Sequence, residues 1–182
     1  MSKKTYITAD LHFTHSNVIK YCPETRGQYA DAQDMNERMI AEWNSIVHPA
    51  DTVYILGDFA FDAVQNAVNI AKRLNGRKIL IIGNHDEKLV KNEEFRACFA
   101  EVHQYLKIRH NGSTVIMFHY PINSWDMRKY GSIHFFGHLH QTPHNMVGRC
   151  MNVGVDATGK IVSDMDELIS QMNAIQATAP HH

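Results

Sequence analysis

Ile79-Leu80-Ile81-Ile82-Gly83-Asn84-His85-Asp86 is an apolar run that ends in a glycine and three polar residues. A short run of this kind between turn residues is typical of a strand buried in a sheet. Four other apolar runs also end, within a residue or two, in a potential metal ligand: residues 6–9 before Asp10, 53–57 before Asp58, 115–118 before His119 and 133–137 before His138. Ligands of open α/β sheets bind just beyond the carboxyl ends of the strands. The strand ends, which carry carboxylates, an amide and imidazoles, therefore predict a metal site at one edge of a sheet.

Length and charge restrict the function classes. The chain has 182 residues, which predicts a single domain over residues 1–180 with a core that needs no disulfide or metal to fold. Its 18 Lys and Arg against 19 Asp and Glu give a net charge of −1, so the sequence lacks the basic surface typical of proteins that bind duplex nucleic acid. The last two residues, His181-His182, are interpreted as the remnant of a purification tag.

The three cysteines, Cys22, Cys98 and Cys150, are odd in number and include no Cys-x-x-Cys pair. This pattern favours free thiols in a reducing compartment over a disulfide framework. The first residues lead directly into a predicted strand, and no apolar stretch approaches the length needed to span a membrane. We therefore expect a cytoplasmic protein with no membrane partner, and nothing in the sequence points to a protein partner.

Apolar residues at helical spacing predict four helices that accompany the strands. The stripes are residues 35, 39, 43 and 46, residues 64 to 74, a stretch that begins near Asp86, and residues 165 to 175. Because strand and helix alternate in the first half, we expect parallel strands joined by helical crossovers. The loop from Thr14 to Asp31 has no clear periodicity and follows the first ligand motif, so we expect it to border the site.

The second half of the chain has a different pattern. Asn111-Gly112 lies between extended stretches at 102–110 and 113–118, which is a strong signal for a two-residue hairpin. Two further strands, near 151–155 and 160–162, are predicted to be joined by a turn. Together the two halves predict an α/β (α+β) fold, a mixed β-sandwich flanked by helices on both sides.

The residue types in the motifs indicate which ions the site binds. Asp10 and His12 lie two residues apart, as do His138 and His140, so the members of each pair can leave an extended segment on the same side. Carboxylates and imidazoles suit manganese, iron, zinc or nickel, whereas the thiolates of structural zinc sites are absent from the motifs. The candidate ligands are too many for one tetrahedral ion, but they suit two ions that share a carboxylate and lie about 3.5–4 Å apart.

The order of the motifs over residues 10–140 is Asp-x-His, Gly-Asp, Gly-Asn-His-Asp, His and Gly-His-x-His, and it resembles the calcineurin-like metallophosphoesterase superfamily. The stretch 9–15 further resembles small single-domain bacterial and phage phosphoesterases. Every motif position is occupied, and Leu139 stands where Thr is frequent, at a position that supplies no ligand. The resemblance implies the metallophosphoesterase-type sandwich and a phosphohydrolase with two divalent transition-metal ions, of which manganese is favoured.

Carried over residue by residue, the resemblance also implies the role of each motif residue. One ion is held by Asp10, His12, Asp58 and His140, and the second by Asp58, Asn84, His119 and His138, so that Asp58 is the bridge. A hydroxide that bridges the metals attacks phosphorus in line, and His85 lies free of the metals and assists the leaving group. Asp86 is predicted to orient the His85 imidazole, as a second catalytic residue, and its alternative role is the N-cap of the following helix.

A phosphodiesterase is the expected activity, because His85 can protonate a poor alkoxide leaving group. The chain is too short for additional capping domains, so the expected substrate is a small phosphodiester such as a cyclic nucleotide, or an exposed nucleic-acid end. The alternatives are a phosphomonoesterase that uses the same site and a non-catalytic metal-binding scaffold. The sequence leaves the roles of His15, Trp125 and Arg128 open between substrate contact and ordinary surface or core positions.

Overall fold

The structure, a computed structural model, describes residues 3–61 and 63–175. The strands in these residues are β1 (Thr5–Thr8), β2 (Thr52–Ile55), β3 (Arg77–Ile81), β4 (Glu101–His103), β5 (Tyr105–His110), β6 (Ser113–Phe118), β7 (Ile133–Phe136), β8 (Cys150–Asn152) and β9 (Ser163–Asp164). The helices are α1 (Ser16–Tyr21), α2 (Pro23–Arg26), α3 (Ala32–Ile46), α4 (Val64–Arg73), α5 (Glu93–Ala97), α6 (Val155–Thr158) and α7 (Met165–Asn173). The interpretation of His181-His182 as a tag remnant falls outside the described residues.

The strands form two mixed sheets. The first has the order β4-β3-β2-β1-β9, in which β1 to β4 are parallel and β9 is antiparallel to β1. The second has the order β5-β6-β7-β8, with an antiparallel hairpin β5-β6 and the parallel pairs β6-β7 and β7-β8. The parallel first half, the hairpin at Asn111-Gly112 and the α/β (α+β) sandwich class are confirmed.

Successive side chains of the first sheet enter two different cores. Between the sheets, Ile7 and Ile79 pack in one cluster with Val115 and Phe135 of the second sheet, and α7 closes this cluster. On the outer face of the first sheet, the apolar stripes of α3 and α4 pack against the alternate strand residues, with Trp43 fully buried among them. This alternation has the period of two that a strand imposes on its side chains. The predicted helices at α3, α4 and α7 are therefore confirmed as core-facing elements.

The helix predicted to start near Asp86 is wrong. Residues 84–88 form turns, a short 3-10 helix follows at Leu89–Lys91, and α5 begins only at Glu93. The N-cap of α5 is Asn92, whose side chain accepts the N–H of Phe95. The reason is that backbone N–H groups of a neighbouring turn already occupy the Asp86 carboxylate.

Three further details of the prediction are corrected. The extended stretch 102–110 is two strands in different sheets, because the chain passes from β4 in the first sheet to β5 in the second at Gln104. The two strands predicted near 151–155 and 160–162 are shorter and lie at 150–152 (β8) and 163–164 (β9) in different sheets, and the predicted turn between them contains the single turn of α6. Gly159, with φ of 68°, ends α6 in a left-handed conformation that suits glycine. The loop expected between Thr14 and Asp31 contains α1 and α2.

In the described part of the chain, no helix is both long and apolar enough to cross a membrane. All three cysteines are unpaired, in agreement with the prediction of free thiols.

The outer face of the second sheet is covered by the segment 120–147. Ile116 and Phe136 pack there against Trp125. His134 of β7 lies in the same layer and is fully buried. Its Nδ1 lies 3.4 Å from the Ile116 carbonyl oxygen, and its Nε2 accepts the N–H of Ile122 at 3.4 Å. Burial lowers the pKa of His134 to about 4, so the ring is neutral at pH 7.

We expect His134 to make the folded protein less stable at acidic pH. Its pKa is 6.5 as the ordinary value and about 4 in the fold. The unfolded chain therefore gains this proton first as the pH falls, and stability decreases between these two values. Between pH 7 and pH 5 the wild type should lose about 2 kcal/mol more of its free energy of unfolding than His134→Gln, whose amide does not titrate. Urea unfolding of both metal-free proteins at the two pH values measures this difference. An equal pH dependence of the two proteins would contradict a buried neutral ring.

Candidate metal centre

The strand ends that carry the predicted ligands meet at one edge of the sandwich. The parallel register of β1, β2 and β3 sets their following turns side by side, and the N–H of Asp10 donates to the Gly57 carbonyl at 3.0 Å. From the second sheet, the N–H of His138 donates to both carboxylate oxygens of Asp10, at 2.9 and 3.0 Å. The structure brings all the predicted ligands together: Asp10, His12, Asp58, Asn84, His119, His138 and His140.

Most of these ligands have an unusual backbone conformation. Positive φ angles occur at Asp10 (56°), His12 (49°), Asp58 (53°), His138 (70°) and His140 (47°). The left-handed region costs a non-glycine residue roughly 1–3 kcal/mol, and Asn, Asp and His are the side chains that most often adopt it. Such conformations persist where the surrounding structure imposes them, and they concentrate at functional sites.

Two glycines of the motifs are required by the close approach of the carboxylates. A Cβ on Gly137 would lie 2.7 Å from Asp10 Oδ2, and a Cβ on Gly83 would collide with Asp58 Oδ1. The glycines that open Gly-Asn-His-Asp and Gly-His-x-His therefore leave the space that the buried carboxylates occupy.

Asp10, His12 and His140 form the first ligand group, in which one ligand atom of each lies within 4.8 Å of the others. His12 is 2% exposed, and neither of its ring nitrogens has a hydrogen-bond partner. Burial lowers the pKa of His12 to about 2, so the imidazole is neutral and presents a free lone pair. A buried polar nitrogen without a partner is rare in folded proteins, and a metal ion at this position would satisfy it.

Asp58, His119 and His138 form the second group, and Asn84 joins them. Asn84 Oδ1 lies 2.9 Å from His119 Nε2 and 3.0 Å from His138 Nδ1. The Nδ1–H of His119 donates to the Leu56 carbonyl at 2.8 Å, so Nε2 carries the lone pair of the neutral ring. Burial lowers the pKa of His119 and favours this neutral form. Nε2 and the amide oxygen are then two acceptors that face each other, an arrangement that a cation stabilises.

Asp58 stands between the two groups. Its Oδ2 lies 3.6 Å from His12 Nε2 on one side and 3.5 Å from His119 Nε2 on the other. Its Oδ1 accepts the backbone N–H of His85 at 2.9 Å. A carboxylate oxygen with a ring nitrogen on either side is in position to bridge two ions.

The residues of this edge fit two divalent ions. Burial raises the pKa of Asp10 to about 7, and the charge of Asp58 contributes to the rise. Among the described residues, the hydrogen bonds to both carboxylates come from backbone N–H groups, with no Lys or Arg side chain among the donors. Positive charge from bound ions would offset the free-energy cost of burying ionised carboxylates. A donor set of oxygens and imidazole nitrogens suits transition metals.

His85 lies beside both ligand groups and belongs to neither. Its side chain is 35% exposed, and its Nε2 is 3.9 Å from Asp58 Oδ2. The Asp86 carboxylate accepts the backbone N–H groups of Gly83, Asp58 and Phe59, each at 2.9 Å. The structure therefore places Asp86 as a support of the bridging turn. Neither predicted contact of Asp86, with the His85 imidazole or as a helix N-cap, occurs among the described hydrogen bonds.

A cavity of about 840 Å³ opens beside the metal ligands. His15, Tyr21, Phe61 and Pro143 contribute to its wall. The rings of Tyr21 and Phe61 are exposed, and the His15 ring centroid lies 4.3 Å from that of Phe61. Among the described residues that line the cavity, none is Lys, Arg, Asp or Glu. The cavity therefore joins the metal ligands to an uncharged, aromatic wall that includes His15.

Trp125 and Arg128 do not line this cavity. Trp125 is buried under the second sheet, and its indole N–H donates to the Ser132 hydroxyl at 3.1 Å. Arg128 lies over the Trp125 ring at 5.0 Å and donates to the Val147 carbonyl at 2.8 Å. Both side chains are engaged in contacts within the fold, which favours the second of the two roles that the sequence left open for them.

Sequence patterns did not reveal two residues that contact the ligands, Arg26 and Asp156. The Nδ1–H of His140 donates to Asp156 Oδ2 at 2.7 Å. Burial alone would raise the pKa of Asp156, but hydrogen bonds from His140 and Arg26 hold it well below the usual range. The same hydrogen bond raises the pKa of His140. The one available signal was that Arg26 lies in the segment expected to border the site.

Comparisons with known proteins agree with the motifs. A family model described as calcineurin-like phosphoesterase matches residues 3–142. An uncharacterized protein of Methanocaldococcus jannaschii is 32% identical over 161 residues, which cover 85% of this chain and 82% of that protein. The gene 66 protein of Mycobacterium phage L5 is 28% identical, with coverage of 94% and 95% respectively. Among solved structures, a protein of unknown function from Aquifex aeolicus aligns with a TM-score of 0.74 and 25% identity, over 93% of this chain and 100% of that one.

The metal-free protein is expected to bind two Mn²⁺ per chain and to become more stable. At a free concentration of about 100 times the Kd, one ion adds about 2.7 kcal/mol, which raises Tm by roughly 5–10 °C. Asp58→Asn should lower the affinity for both ions because it alters the shared ligand, whereas His12→Ala should lower the affinity for one. Isothermal titration calorimetry gives the stoichiometry and both affinities.

Asp51→Asn is the matched control for this titration. Asp51 is also buried, but its carboxylate accepts the backbone N–H groups of Lys4 and His48. The Asp51→Asn variant should leave the affinities for both ions unchanged. A single ion in the wild type, or an Asp58→Asn variant that loses only one, would contradict the position of Asp58 as a bridge.

Proposed function

The chain belongs to the calcineurin-like phosphoesterase family, and on this basis we propose that this metal-dependent phosphoesterase is a phosphodiesterase that works with two ions. The observation that carries the proposal is the position of Asp58 Oδ2, 3.6 Å from His12 Nε2 and 3.5 Å from His119 Nε2. His85 lies 3.9 Å from the same oxygen and also lines the cavity. A two-ion centre beside a proton donor would supply the parts that an in-line phosphoryl displacement needs.

The ligand groups assign the residues that would hold each ion. Asp10, His12 and His140 would complete the first site with Asp58, and Asn84, His119 and His138 would complete the second. When bound, the ions supply Lewis acidity toward the phosphate oxygens and activate the attacking water. The chain keeps its buried imidazoles neutral and holds them in fixed orientations. Mn²⁺ is the proposed ion, because mixed carboxylate, amide and imidazole ligands suit it.

His85 is the proposed donor of a proton to the leaving oxygen. An imidazole exchanges its proton near neutral pH, and a positioned acid of this kind accelerates a reaction typically by about 10²–10⁴-fold. The bond from its own backbone N–H to Asp58 Oδ1, at 2.9 Å, fixes His85 next to the bridge while its side chain stays open to the cavity. Asp86 acts on the same step indirectly, because its carboxylate holds the backbone of Asp58.

The charge of the cavity favours a diester over a monoester. A phosphomonoester has a third unesterified oxygen and up to two negative charges, for which an Arg or Lys contact is typical. The described residues of this cavity wall include no such cation, and Lys88 lines a smaller neighbouring cavity that shares Phe61 and His85. A phosphodiester carries one negative charge, which the ions alone can neutralise.

The same wall supports a small substrate with a planar, uncharged group. Tyr21 and Phe61 offer exposed rings at the cavity, and aromatic rings stack on nucleobases of any sequence. A nucleic-acid strand would also bring further phosphates, and these normally meet basic side chains. We therefore propose a cyclic nucleotide, or a comparable small nucleoside phosphodiester, in preference to a nucleic-acid end.

With Mn²⁺ restored, the protein should hydrolyse a chromogenic phosphodiester faster than the matching monoester, and Asp58→Ala should abolish the activity. His85→Ala should lower kcat by about 10²-fold or more while the metal content stays the same, because only the proton donor is removed. Steady-state kinetics and metal analysis of the same samples provide both readouts.

The control for His85→Ala is His103→Ala. The two side chains are similarly exposed, at 35% and 32%, but His103 pairs with Glu101 in β4. Full activity of His85→Ala would remove its assigned role. A preference for the monoester would favour the phosphatase alternative, and an absence of turnover in a protein with two bound ions would favour the scaffold.

Tyr21→Ala should raise KM for a cyclic nucleotide by roughly 5-fold, since it removes one stacking surface of about 1 kcal/mol. It should leave KM for a small dialkyl phosphodiester unchanged. Tyr130→Ala is the matched control, because both tyrosines are 72% exposed and only Tyr21 lines the cavity. Equal effects on both substrates, or no effect on either, would argue against a nucleobase at this wall.

A further inference from the structure

Arg26 and Asp156 form a buried ion pair directly behind the first ligand group. Both residues are almost inaccessible, at 1% and 4% exposure. Arg26 Nε donates to Asp156 Oδ1 at 2.8 Å, and Arg26 Nη2 donates to Oδ2 at 2.9 Å. A buried pair of this kind is seldom retained for stability alone, because apolar side chains of similar volume often stabilise a core as well.

The remaining bonds of Asp156 define its role. Oδ1 also accepts the Thr25 hydroxyl at 2.6 Å, and Oδ2 also accepts the His140 Nδ1–H at 2.7 Å. Each oxygen of the carboxylate therefore has two donors, which fills its usual acceptor sites. Although Cys22, His140 and Asp156 lie close enough to hold an ion, this saturation identifies Asp156 as a partner of a ligand and not as a ligand itself.

The bond to Asp156 also selects the tautomer of His140. With Nδ1 protonated and bonded to the carboxylate, the free lone pair is on Nε2. Histidines that bind metals usually donate their other ring N–H to a carboxylate or carbonyl, which fixes the ring and increases its basicity.

The other side of Arg26 holds the turn that carries the remaining ligands of this group. Its Nη1 donates to the Leu11 carbonyl at 2.8 Å, and its Nη2 donates to the Asp10 carbonyl at 2.6 Å. These two carbonyls belong to the left-handed turn between Asp10 and His12. One guanidinium therefore connects the turn that carries two ligands to the carboxylate that orients the third.

We propose that Arg26 and Asp156 are positioning residues for the first metal ion. Arg26 fixes the turn of Asp10 and His12, and Asp156 fixes the ring of His140. The inference rests on the two-ion centre proposed above and is independent of the substrate. It predicts that this pair controls the affinity of one ion and leaves the other, held through Asn84 and His119, largely unaffected.

The test is a Mn²⁺ titration of metal-free wild type, Asp156→Asn and the buried control Asp51→Asn by calorimetry. Asp156→Asn should lower the affinity for one of the two ions by about 10–100-fold and change the affinity for the second by less than about 3-fold. The control should match the wild type for both. Wild-type affinities in Asp156→Asn, or an equal loss at both sites, would overturn the proposal. If the wild type itself bound no ions, the result would refute the two-ion centre on which this proposal rests.

A double variant separates positioning from stability. Arg26→Met combined with Asp156→Leu replaces the ion pair by apolar side chains, and urea unfolding shows whether the fold is retained. If the pair positions ligands, this protein should fold and still lose the affinity of the first ion by 10-fold or more. Wild-type affinity in the folded double variant would show that the pair is structural only.

The tautomer provides a measurement on the unaltered protein. In metal-free wild type labelled with ¹⁵N-histidine, long-range ¹H–¹⁵N spectra distinguish a protonated Nδ1 from a protonated Nε2, and His140→Asn assigns the signal. We expect the Nδ1–H form of His140 at pH 8. An Nε2–H form would overturn the role of Asp156, independently of the Mn²⁺ affinities of the variants.

Discussion

Two buried carboxylates whose hydrogen bonds, among the described residues, come from backbone N–H groups are the constraint on which the rest of the structure depends. Asp10 and Asp58 are 0% and 2% exposed, and they meet backbone N–H groups and the rings of His12 and His119. Burial keeps these rings neutral, so positive charge from bound ions would stabilise the ionised carboxylates. Bound ions would therefore contribute to the folded state as well as to the proposed reaction.

The sheets bring the candidate ligands together, and hydrogen bonds to the backbone of their turns fix the directions of their side chains. The parallel register sets the turns after β1, β2 and β3 side by side, and the left-handed residues direct their side chains to one point. Two buried charged residues brace these turns from behind. Asp86 accepts N–H groups of the turn that carries Asp58, whereas Arg26 donates to carbonyls of the turn that carries Asp10.

The strand ends and the positions of the candidate ligands beside them could be predicted because each depends on a local pattern, such as the apolar run and polar end of residues 79–84. Arg26 and Asp156 could not, since their contact joins positions 130 residues apart and neither belongs to a motif. The change of sheet at Gln104 was also hidden, because both flanking strands are extended and half-buried. For Asp86 neither the predicted contact with the His85 imidazole nor the alternative role as a helix N-cap is found, because its carboxylate accepts N–H groups of Gly83 and of the turn at 58–59.

The left-handed turns oppose the stability of the metal-free chain. Glycine at position 10 or 58 would relieve this backbone strain, so holding the two aspartates in place costs the metal-free chain part of its folding free energy. Selection for robustness and selection for chemistry therefore act in opposite directions on the same residues. A lineage of this fold that lives with little metal is expected to lose its ligands, and a steady supply of metal is what keeps the ligand set under selection.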